Sequence, residues 1–330
     1  MGVLTIRAPA LSFDGMRIAV TGAAGFIGSN LAKCLASNGH DVTAVDSFLA
    51  SGFENLTDFT GDVLTLEHRL DIQSMRDIAT RYGAFDVIFH QAAITGVIAR
   101  DGSATAGDDV HTFLRNNIEQ FRQILDFAVD TKARVVWASS CSVYGRNPPP
   151  MREAQPYDPL NVYAFTKVQQ ERLARIYDKR LAHPIVGLRY SNVYGPGEAH
   201  KGKLASMVQQ LAIQMRAGKR PRIFEHGQQR RDLVYIDDVV TANLQAMNSK
   251  VSGNYNAGAG QSWSFNDVVK ELNRVLGTTL EPDYFKNPYS FTQDWTETDL
   301  TEAKKNRGYE PRFDLARGVD AYFVSGKLGV

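Results

Sequence analysis

The chain has 330 residues, 43% of them apolar, which is enough to bury the core of one large domain or two smaller ones. The charges of its 37 basic and 36 acidic side chains nearly cancel, so the chain lacks the charge bias of proteins that bind nucleic acid or acidic membranes. The two cysteines, Cys34 and Cys141, lack metal-ligand spacing, so we expect free thiols in a reducing, cytoplasmic compartment and no metal site.

Residues 1–15 precede the first clear strand pattern and hold Arg7, Pro9 and Asp14 within a short apolar run. A signal peptide needs a basic segment followed by a long apolar one, and a membrane span needs about 20 apolar residues. Neither pattern is present, so we expect a loose N-terminal extension.

A glycine-rich segment at residues 21–30 follows an apolar run and leads into a helical pattern. Gly22 permits a tight turn, Gly25 lets the backbone approach a pyrophosphate, and Gly28 lets the helix pack close to the strand. Free N–H groups and the helix dipole favour phosphate there. Strand, turn and helix together predict a dinucleotide site rather than a plain tight turn. Its candidate contacts are Gly22, Gly25, Phe26, Ile27 and Gly28.

A carboxylate closes the second predicted strand, residues 41–45. Asp46 follows the glycine turn by roughly twenty residues, where a carboxylate can bind the adenosine ribose hydroxyls. Residues 47–50 contain no Arg or Lys for a ribose 2′-phosphate, so we predict NAD, with NADP still possible. Asp71 and Ile72, after a further short strand, are placed to meet the adenine ring.

The fourth predicted strand, residues 86–89, opens into a turn of small residues where backbone can approach a cofactor. The cofactor candidates in this turn are Gln91, Ala92 and Ala93. We assign His90 a structural role. Residues 94–109 are polar and have little periodicity, which predicts a mobile loop over the site.

A helix is predicted over residues 110–129, with Asn116 as a cofactor candidate, and a fifth strand over residues 134–138. Strands that alternate with helices predict an α/β fold, a Rossmann-type doubly wound parallel sheet with a smaller C-terminal α/β substrate domain. We place the NAD-binding domain at residues 16–184, with 185–195 and about 231–248 returning to it, and the substrate domain at about 196–330.

The fifth strand delivers Ser140 to the carboxyl edge of the sheet, where ligands bind in such folds. Tyr163 and Lys167 are neighbours across one turn of the next helix. An ammonium beside a phenol favours the phenolate, so this pair could exchange a proton with a hydroxyl near neutral pH. The same spacing also occurs on ordinary structural helices.

These motifs together resemble an extended short-chain dehydrogenase/reductase, from Met16 to about Tyr322. The matching features, in order, are the glycine turn, Ser140, Tyr163 with Lys167, residues 192–196 and Arg231-Asp232. The resemblance implies a nucleotide-diphosphate sugar as substrate and Tyr163 as the acid/base on its hydroxyl. It also implies that Lys167 lowers the pKa of Tyr163 and holds the nicotinamide ribose, and that Ser140 hydrogen-bonds the reacting oxygen.

Within that superfamily, the second half is most similar to the ADP-glycero-manno-heptose 6-epimerases, mainly over residues 186–206, 224–225, 231–232, 291–293 and 299–301. This similarity implies a transient oxidation, with Lys201 as a second acid/base facing Tyr163 and Arg231 on the diphosphate. The implied substrate contacts are Ser140, Ser142, Asn192, Val193, His200, Phe224, Arg231 and Tyr289.

Three positions depart from that family. Phe53 replaces a lysine that favours NADP, Lys203 replaces a small serine, and Gln210 replaces a substrate-contacting histidine. The last two shape the sugar and nucleotide pocket, so the sugar and the base stay open. The long helices over residues 110–129 and 160–179 could pair between subunits, and we predict a homo-oligomer.

Four other activities remain as alternatives. A UDP-hexose or uronate 4-epimerase needs only Ser140, Tyr163 and Lys167, and it is the main one. A 4,6-dehydratase needs an Asp-Glu pair beside Ser140, which is missing. A deoxysugar epimerase-reductase would use Cys141 and His200 as its proton pair, but Cys141 is one position from the expected place. The fourth is a non-catalytic dinucleotide-binding protein.

Overall fold

The structure, a computed structural model, describes residues 15–48, 50–65, 72–95, 110–286 and 294–330. Three predicted features lie outside these ranges: residues 1–14 of the extension, residues 96–109 of the loop, and the two candidate contacts Asp71 and Tyr289. The side chain of Ile72 also lies outside the description.

The strands, numbered along the described chain, are β1 (Arg17–Thr21), β2 (Asp41–Asp46), β3 (Asp62–Thr65), β4 (Val87–His90), β5 (Arg134–Ser140), β6 (Val186–Tyr190), β7 (Asn192–Tyr194), β8 (Arg222–Phe224), β9 (Arg230–Arg231), β10 (Leu233–Tyr235), β11 (Gly253–Ala257), β12 (Trp263–Ser264) and β13 (Asp283–Phe285). Seven of them form one sheet in the order β11-β6-β5-β4-β1-β2-β3, and every pairing in it is parallel. The chain therefore starts at β1, builds outward to β3, and then crosses to β4 on the other side of β1. This reversal creates a crevice beyond the carboxyl ends of β1 and β4.

The helices are α1 (Phe26–Ser37), α2 (Ile72–Tyr82), α3 (Val110–Phe113), α4 (Gln120–Thr131), α5 (Val162–Tyr177), α6 (Met207–Arg216), α7 (Ile236–Met247), α8 (Phe265–Leu276), α9 (Thr301–Arg307) and α10 (Leu315–Val324). They cover both faces of the large sheet. Ile18 and Val20 of β1 belong to the buried cluster that contains α1 and α7, whereas Ala19 belongs to the cluster of α2, α4 and α5. Because successive side chains of a strand point to opposite faces, these apolar runs bury both sides. The predicted Rossmann-type fold is confirmed.

A π-helical turn, Leu114–Glu119, joins α3 to α4 inside the single helix that the sequence predicts. It contains the fully buried Asn117, whose side chain exchanges hydrogen bonds of 2.9 Å with both the N–H and the carbonyl of Ile94. Its amide also donates to Thr166 Oγ1 at 3.0 Å. Asn117 thereby fixes the segment that follows β4 against the helix that carries Tyr163.

The remaining strands of the second half form small two-stranded pairs, namely β7 with β10, β8 with β13 and β9 with β12. Helices α6, α8 and α10 pack together, and their apolar side chains join the cluster of α1. The sequence did not single out β11, which adds the outermost strand beside β6. The domain boundary near residue 196 stays a prediction. None of the helices in the described part combines the length and apolarity needed to cross a bilayer.

Candidate active site

A cavity of about 940 Å³ opens at the carboxyl edge of the large sheet. That volume suits a ligand of the size of a cofactor with a substrate, near the upper end of small-molecule sites. It is lined by most of the predicted site residues, which are Gly22, Gly25, Phe26, Ile27, Gly28, Asp46, Gln91, Ala92, Ala93, Asn116, Ser140, Tyr163, Lys167, Asn192, Val193, His200, Lys201 and Arg231. Residues far apart in the chain therefore converge on one chamber.

The glycine turn forms one end of this cavity. Gly22 has φ of +70°, and a Cβ at this position would lie 2.6 Å from the backbone nitrogen of Ala92, so only glycine fits. Gly25 is the N-cap of α1, and no side chain in the described chain caps that helix end. The first amides of α1 thus have no intrahelical acceptor, and the residues that carry them, Phe26, Ile27 and Gly28, line the cavity, which suits an anionic pyrophosphate.

Asp46 lies beside this turn at the end of β2. Its carboxylate accepts from the backbone N–H of Ala24 and of Phe48, both at 2.8 Å. Phe48 has φ of +54° and stacks on Phe53 at 4.1 Å between ring centroids. Phe53, which replaces the lysine that favours NADP in the heptose epimerases, is therefore part of an aromatic pair next to Asp46. A fixed carboxylate with an aromatic neighbour fits ribose hydroxyls better than a 2′-phosphate.

Ser140, Tyr163 and Lys167 come from the end of β5 and the start of α5. Asn161 caps α5 by accepting from the N–H of Ala164 at 2.8 Å, which begins the helix just before Tyr163. The ammonium of Lys167 donates to the carbonyl of Ala138 at 2.6 Å and lies 5.7 Å from the centroid of the Tyr163 ring. Both side chains line the cavity, so the predicted set is assembled.

Burial decides how the phenol and the ammonium titrate in the protein alone. It raises the pKa of Tyr163 to about 12, although a hydrogen bond from Ser140 opposes this. It lowers the pKa of Lys167 to about 7, against the favourable charge of Glu171. The lowered Tyr163 pKa implied by the resemblance is therefore not produced by the protein alone, because loss of hydration outweighs the hydrogen bond from Ser140.

Lys201 enters the cavity from a 3-10 turn, Ala199–Leu204. Its ammonium lies 5.6 Å from the centroid of the Phe26 ring, next to the glycine turn. Burial lowers the pKa of Lys201, and the nearby carboxylate of Glu198 opposes the shift. His200, also in this turn, has a pKa lowered by burial.

The predicted substrate contacts divide into two groups. Arg231 lines the cavity, where its guanidinium lies 5.6 Å from the ring centroid of Phe265. Asn192 donates to Thr296 Oγ1 at 3.3 Å and also lines it. By contrast, Ser142 and Phe224 are not among the lining residues, and Phe224 packs edge-to-face on Phe285 at 4.8 Å.

Cys141 and His90 take no part in the cavity lining. The thiol of Cys141 is buried and donates to the carbonyl of Arg189 at 3.3 Å, and burial raises its pKa. His90 Nδ1 is 2.9 Å from Thr21 Oγ1, and burial lowers the pKa of the imidazole to about 3. A proton pair made from Cys141 and His200 therefore finds no support in this geometry.

The profile of the NAD dependent epimerase/dehydratase family matches residues 18–258, more than half of the chain. This chain belongs to that family. The predicted recognition, the enzyme class and the NAD cofactor are thereby confirmed.

Solved structures of related epimerases match over almost the whole chain. Helicobacter pylori ADP-L-glycero-D-manno-heptose-6-epimerase is 34% identical, with a TM-score of 0.85, over 94% of this chain and 96% of that one. Thermotoga maritima UDP-glucose 4-epimerase with UDP-glucose is 30% identical, with a TM-score of 0.83, over 94% and 99%. Bacillus cereus UDP-glucuronic acid 4-epimerase with UDP-glucuronic acid and NAD is 28% identical, with a TM-score of 0.79, over 94% and 98%.

Tyr190 and Phe265 are among the residues of this epimerase-family site that were not predicted. Tyr190, at the end of β6, lines the cavity, and its hydroxyl donates to Gln91 Oε1 at 3.0 Å. The Gln91 amide donates to Asn243 Oδ1 at 3.2 Å, so the side chain of Gln91, a predicted cofactor contact, is held in place by Tyr190 and Asn243. Phe265 begins α8 and enters the cavity from the second half. The position of Tyr190 at a strand end was the one signal in the sequence.

Lys167 should make the stability of this family member depend on pH. Its pKa is about 7 in the folded protein and near the ordinary 10.5 when unfolded. Between these values the unfolded chain binds a proton that the folded chain does not, so the unfolding free energy rises with pH by at most about 1.4 kcal/mol per unit. Below about pH 7 both states carry the proton, and the cost of burying the charge is fully present.

A Lys167→Met variant should lack this contribution. Urea unfolding of nucleotide-free protein at about pH 7 and about pH 9.5 compares the two proteins. We expect the wild type to gain stability relative to the variant as pH rises. Lys270→Met, at an exposed position, is the control and should follow the wild type. Equal pH responses of wild type and Lys167→Met would contradict a depressed lysine pKa.

Proposed function

We propose that the protein is an epimerase of a nucleotide-diphosphate sugar that works by transient oxidation and re-reduction. An ADP-glycero-manno-heptose is the first candidate substrate, epimerised at C6. One observation carries the proposal: Tyr163 and Lys201 line the same cavity as the glycine turn of the cofactor site. The 34% identity to the H. pylori ADP-heptose epimerase supports this substrate.

In the first step, Tyr163 acts as the base. NAD⁺, when bound, would supply the hydride acceptor and, in reduced form, the hydride donor. The phenolate takes the proton of the sugar hydroxyl while hydride leaves the same carbon, so the alcohol becomes a carbonyl. Ser140 donates a hydrogen bond to the reacting oxygen, and Lys167 holds the nicotinamide ribose. A bound oxidised nicotinamide would add positive charge near the phenol, which would oppose the rise in the Tyr163 pKa that burial causes.

In the second step, the carbonyl presents its other face to the returning hydride. Its oxygen now needs a proton from a different direction, and we assign that proton to the ammonium of Lys201. Because burial lowers the Lys201 pKa, this ammonium can release a proton closer to neutral pH than an exposed lysine. One hydride leaves and one returns, so the configuration inverts without net redox change.

Replacing Lys201 should separate the two steps. In Lys201→Met, interconversion should fall by about 10²- to 10⁴-fold, the range for loss of a positioned acid or base. The Tyr163 step remains, so reduced nicotinamide should accumulate in a single turnover, followed by its absorbance. Lys219→Met, at an exposed position outside the cavity, is the control. Unchanged turnover in Lys201→Met would remove the lysine from the mechanism.

The main alternative is a UDP-sugar 4-epimerase, which Ser140, Tyr163 and Lys167 alone can support. The T. maritima enzyme, at 30% identity, favours it. A panel of ADP-L-glycero-D-manno-heptose, UDP-glucose and UDP-glucuronic acid, with product stereochemistry read by NMR, separates these substrates. We expect inversion of the heptose at C6. Inversion of a UDP-sugar at C4 selects the alternative, and no interconversion of any nucleotide sugar defeats the epimerase proposal.

A cytoplasmic homo-oligomer is the remaining part of the proposal. Phe165 and Ile176 on α5 are large apolar side chains that are 43% and 65% exposed, which supports helix pairing between subunits. Light scattering on purified protein measures the mass in solution. A monomer at micromolar concentration would contradict the homo-oligomer.

A further inference from the structure

Two asparagine side chains tie the glycine turn to the segment that carries Lys201. Asn30, on α1, donates from Nδ2 to the carbonyl of Phe26 and to that of Pro196, each at 2.9 Å. The Phe26 carbonyl belongs to the start of α1, whereas Pro196 lies 166 residues after Asn30 in the chain. Both amide protons of Asn30 are therefore used to join the two segments.

Asn55 repeats this arrangement from the opposite side. Its Nδ2 donates to the carbonyl of Ala24 in the glycine turn at 3.1 Å and to that of Gly197 at 3.0 Å. It is also 3.1 Å from Nδ1 of His200, which is 3.0 Å from the same Gly197 carbonyl. All carbonyl contacts are satisfied when His200 carries its proton on Nδ1, because Asn55 has only two amide protons.

The backbone at Gly197 fits closely between the two amides. Its φ is +99°, and a Cβ would lie 3.2 Å from Asn30 Nδ2 and 3.4 Å from Asn55 Oδ1. A side chain here would thus be strained and would crowd the Asn30 amide that donates to Pro196. Glycine lets the segment approach the cofactor turn closely enough for both asparagines to reach it.

A buried carboxylate anchors the far side of the same segment. Glu198 is 0% exposed and accepts from the N–H of Gly195 at 3.1 Å and from Ser206 N–H at 2.6 Å. The N–H of Lys201 donates to the carbonyl of Glu198 at 3.0 Å. Lys201 therefore lies in a short turn whose start is held by Glu198 on one side and by the two asparagines on the other.

We propose that Asn55, together with Asn30, is a positioning residue for Lys201. The two side chains hold the turn that carries Lys201 at a fixed distance from the glycine turn. Neither asparagine lines the cavity, so neither touches the reacting atoms. The inference rests on the proposed role of Lys201 as the second acid/base. We call these hydrogen bonds of Asn30 and Asn55 the clamp. The clamp would make the glycine turn, which orients the cofactor, and the turn that carries Lys201 move together.

Hydrogen exchange measured by mass spectrometry tests the clamp without substrate. In full-length Asn55→Ala, amides in residues 197–204 should exchange about five- to tenfold faster, as expected for the loss of a hydrogen bond. Asn30→Ala, the second variant, should act on the same residues. Asn38→Ala, an exposed asparagine at the other end of α1, is the control and should leave them unchanged. Unchanged exchange in both clamp variants overturns the inference.

A double-mutant cycle tests whether the clamp acts through Lys201, with ADP-L-glycero-D-manno-heptose as the probe. Asn55→Ala should lower kcat at least about tenfold in the wild type and should have no further effect in Lys201→Met, because only coupled residues are non-additive. An equal loss in both backgrounds overturns the positioning role while the Lys201 mechanism stands. Full activity of Lys201→Met instead removes Lys201 from the proposed mechanism, and with it the role of the clamp, whatever hydrogen exchange shows.

Discussion

In the Tyr163→Phe variant, the turnover number should fall by about 10²- to 10⁴-fold, the usual loss when a positioned acid or base is removed. The hydroxyl is the only group taken away, and the ring that packs near the Lys167 ammonium stays. The loss should appear in kcat, because a group that transfers a proton in the transition state contributes little to ground-state binding. The measurement is steady-state turnover of the nucleotide sugar identified by the panel.

The matched control is Tyr284→Phe, which removes a hydroxyl from a tyrosine that is 47% exposed on β13. It should retain full activity. NAD affinity, followed by fluorescence titration, should change little in Tyr163→Phe, so that lost activity cannot be ascribed to an empty cofactor site. If Tyr163→Phe keeps wild-type turnover, another group removes the proton and the mechanism is wrong even if the epimerase activity is real.

The features that could be predicted from the sequence are those set by local pattern. Gly22, Gly25 and Gly28 follow a short apolar strand and precede a helix, and this combination has few structural solutions. The spacing of Tyr163 and Lys167 is likewise a property of one helix. Because carboxyl ends of parallel strands share an edge, placing these motifs in order was enough to predict a common cavity.

The features that could not be predicted depend on packing between distant segments. Asn55 lies on a short 3-10 turn and meets Gly197, which is 142 residues further along the chain. Nothing in its local sequence distinguishes it from any surface asparagine. The direction of the Tyr163 pKa shift in the protein alone could not be predicted for the same reason: the lysine four residues away is visible in the sequence, but the loss of hydration that raises the pKa follows from burial by the whole fold.

The second large expected effect concerns a buried ion pair next to the helix of the proposed catalytic residues. Glu171, on α5, is 0% exposed and pairs with Arg189, which is 3% exposed on β6, through contacts of 2.7 and 2.8 Å. The same carboxylate accepts from Ser139 Oγ at 2.6 Å and from the hydroxyl of Tyr157 at 2.7 Å. Four donors thus converge on two oxygens, and the pair ties the helix of Tyr163 and Lys167 to the strand that ends in the cavity wall.

Glu171→Gln should therefore cost about 3–5 kcal/mol of unfolding free energy, because Arg189 is left buried without a counter-charge and the new amide nitrogen meets donors. Urea unfolding of nucleotide-free protein at neutral pH measures it. Glu310→Gln, which removes the exposed carboxylate paired with Lys304, is the control and should cost less than about 1 kcal/mol. Equal small losses in both variants would mean that Arg189 finds another partner. The Glu171 charge also raises the Lys167 pKa, so its removal should lower that pKa further. The same carboxylate therefore affects both the stability of the fold and the protonation of Lys167.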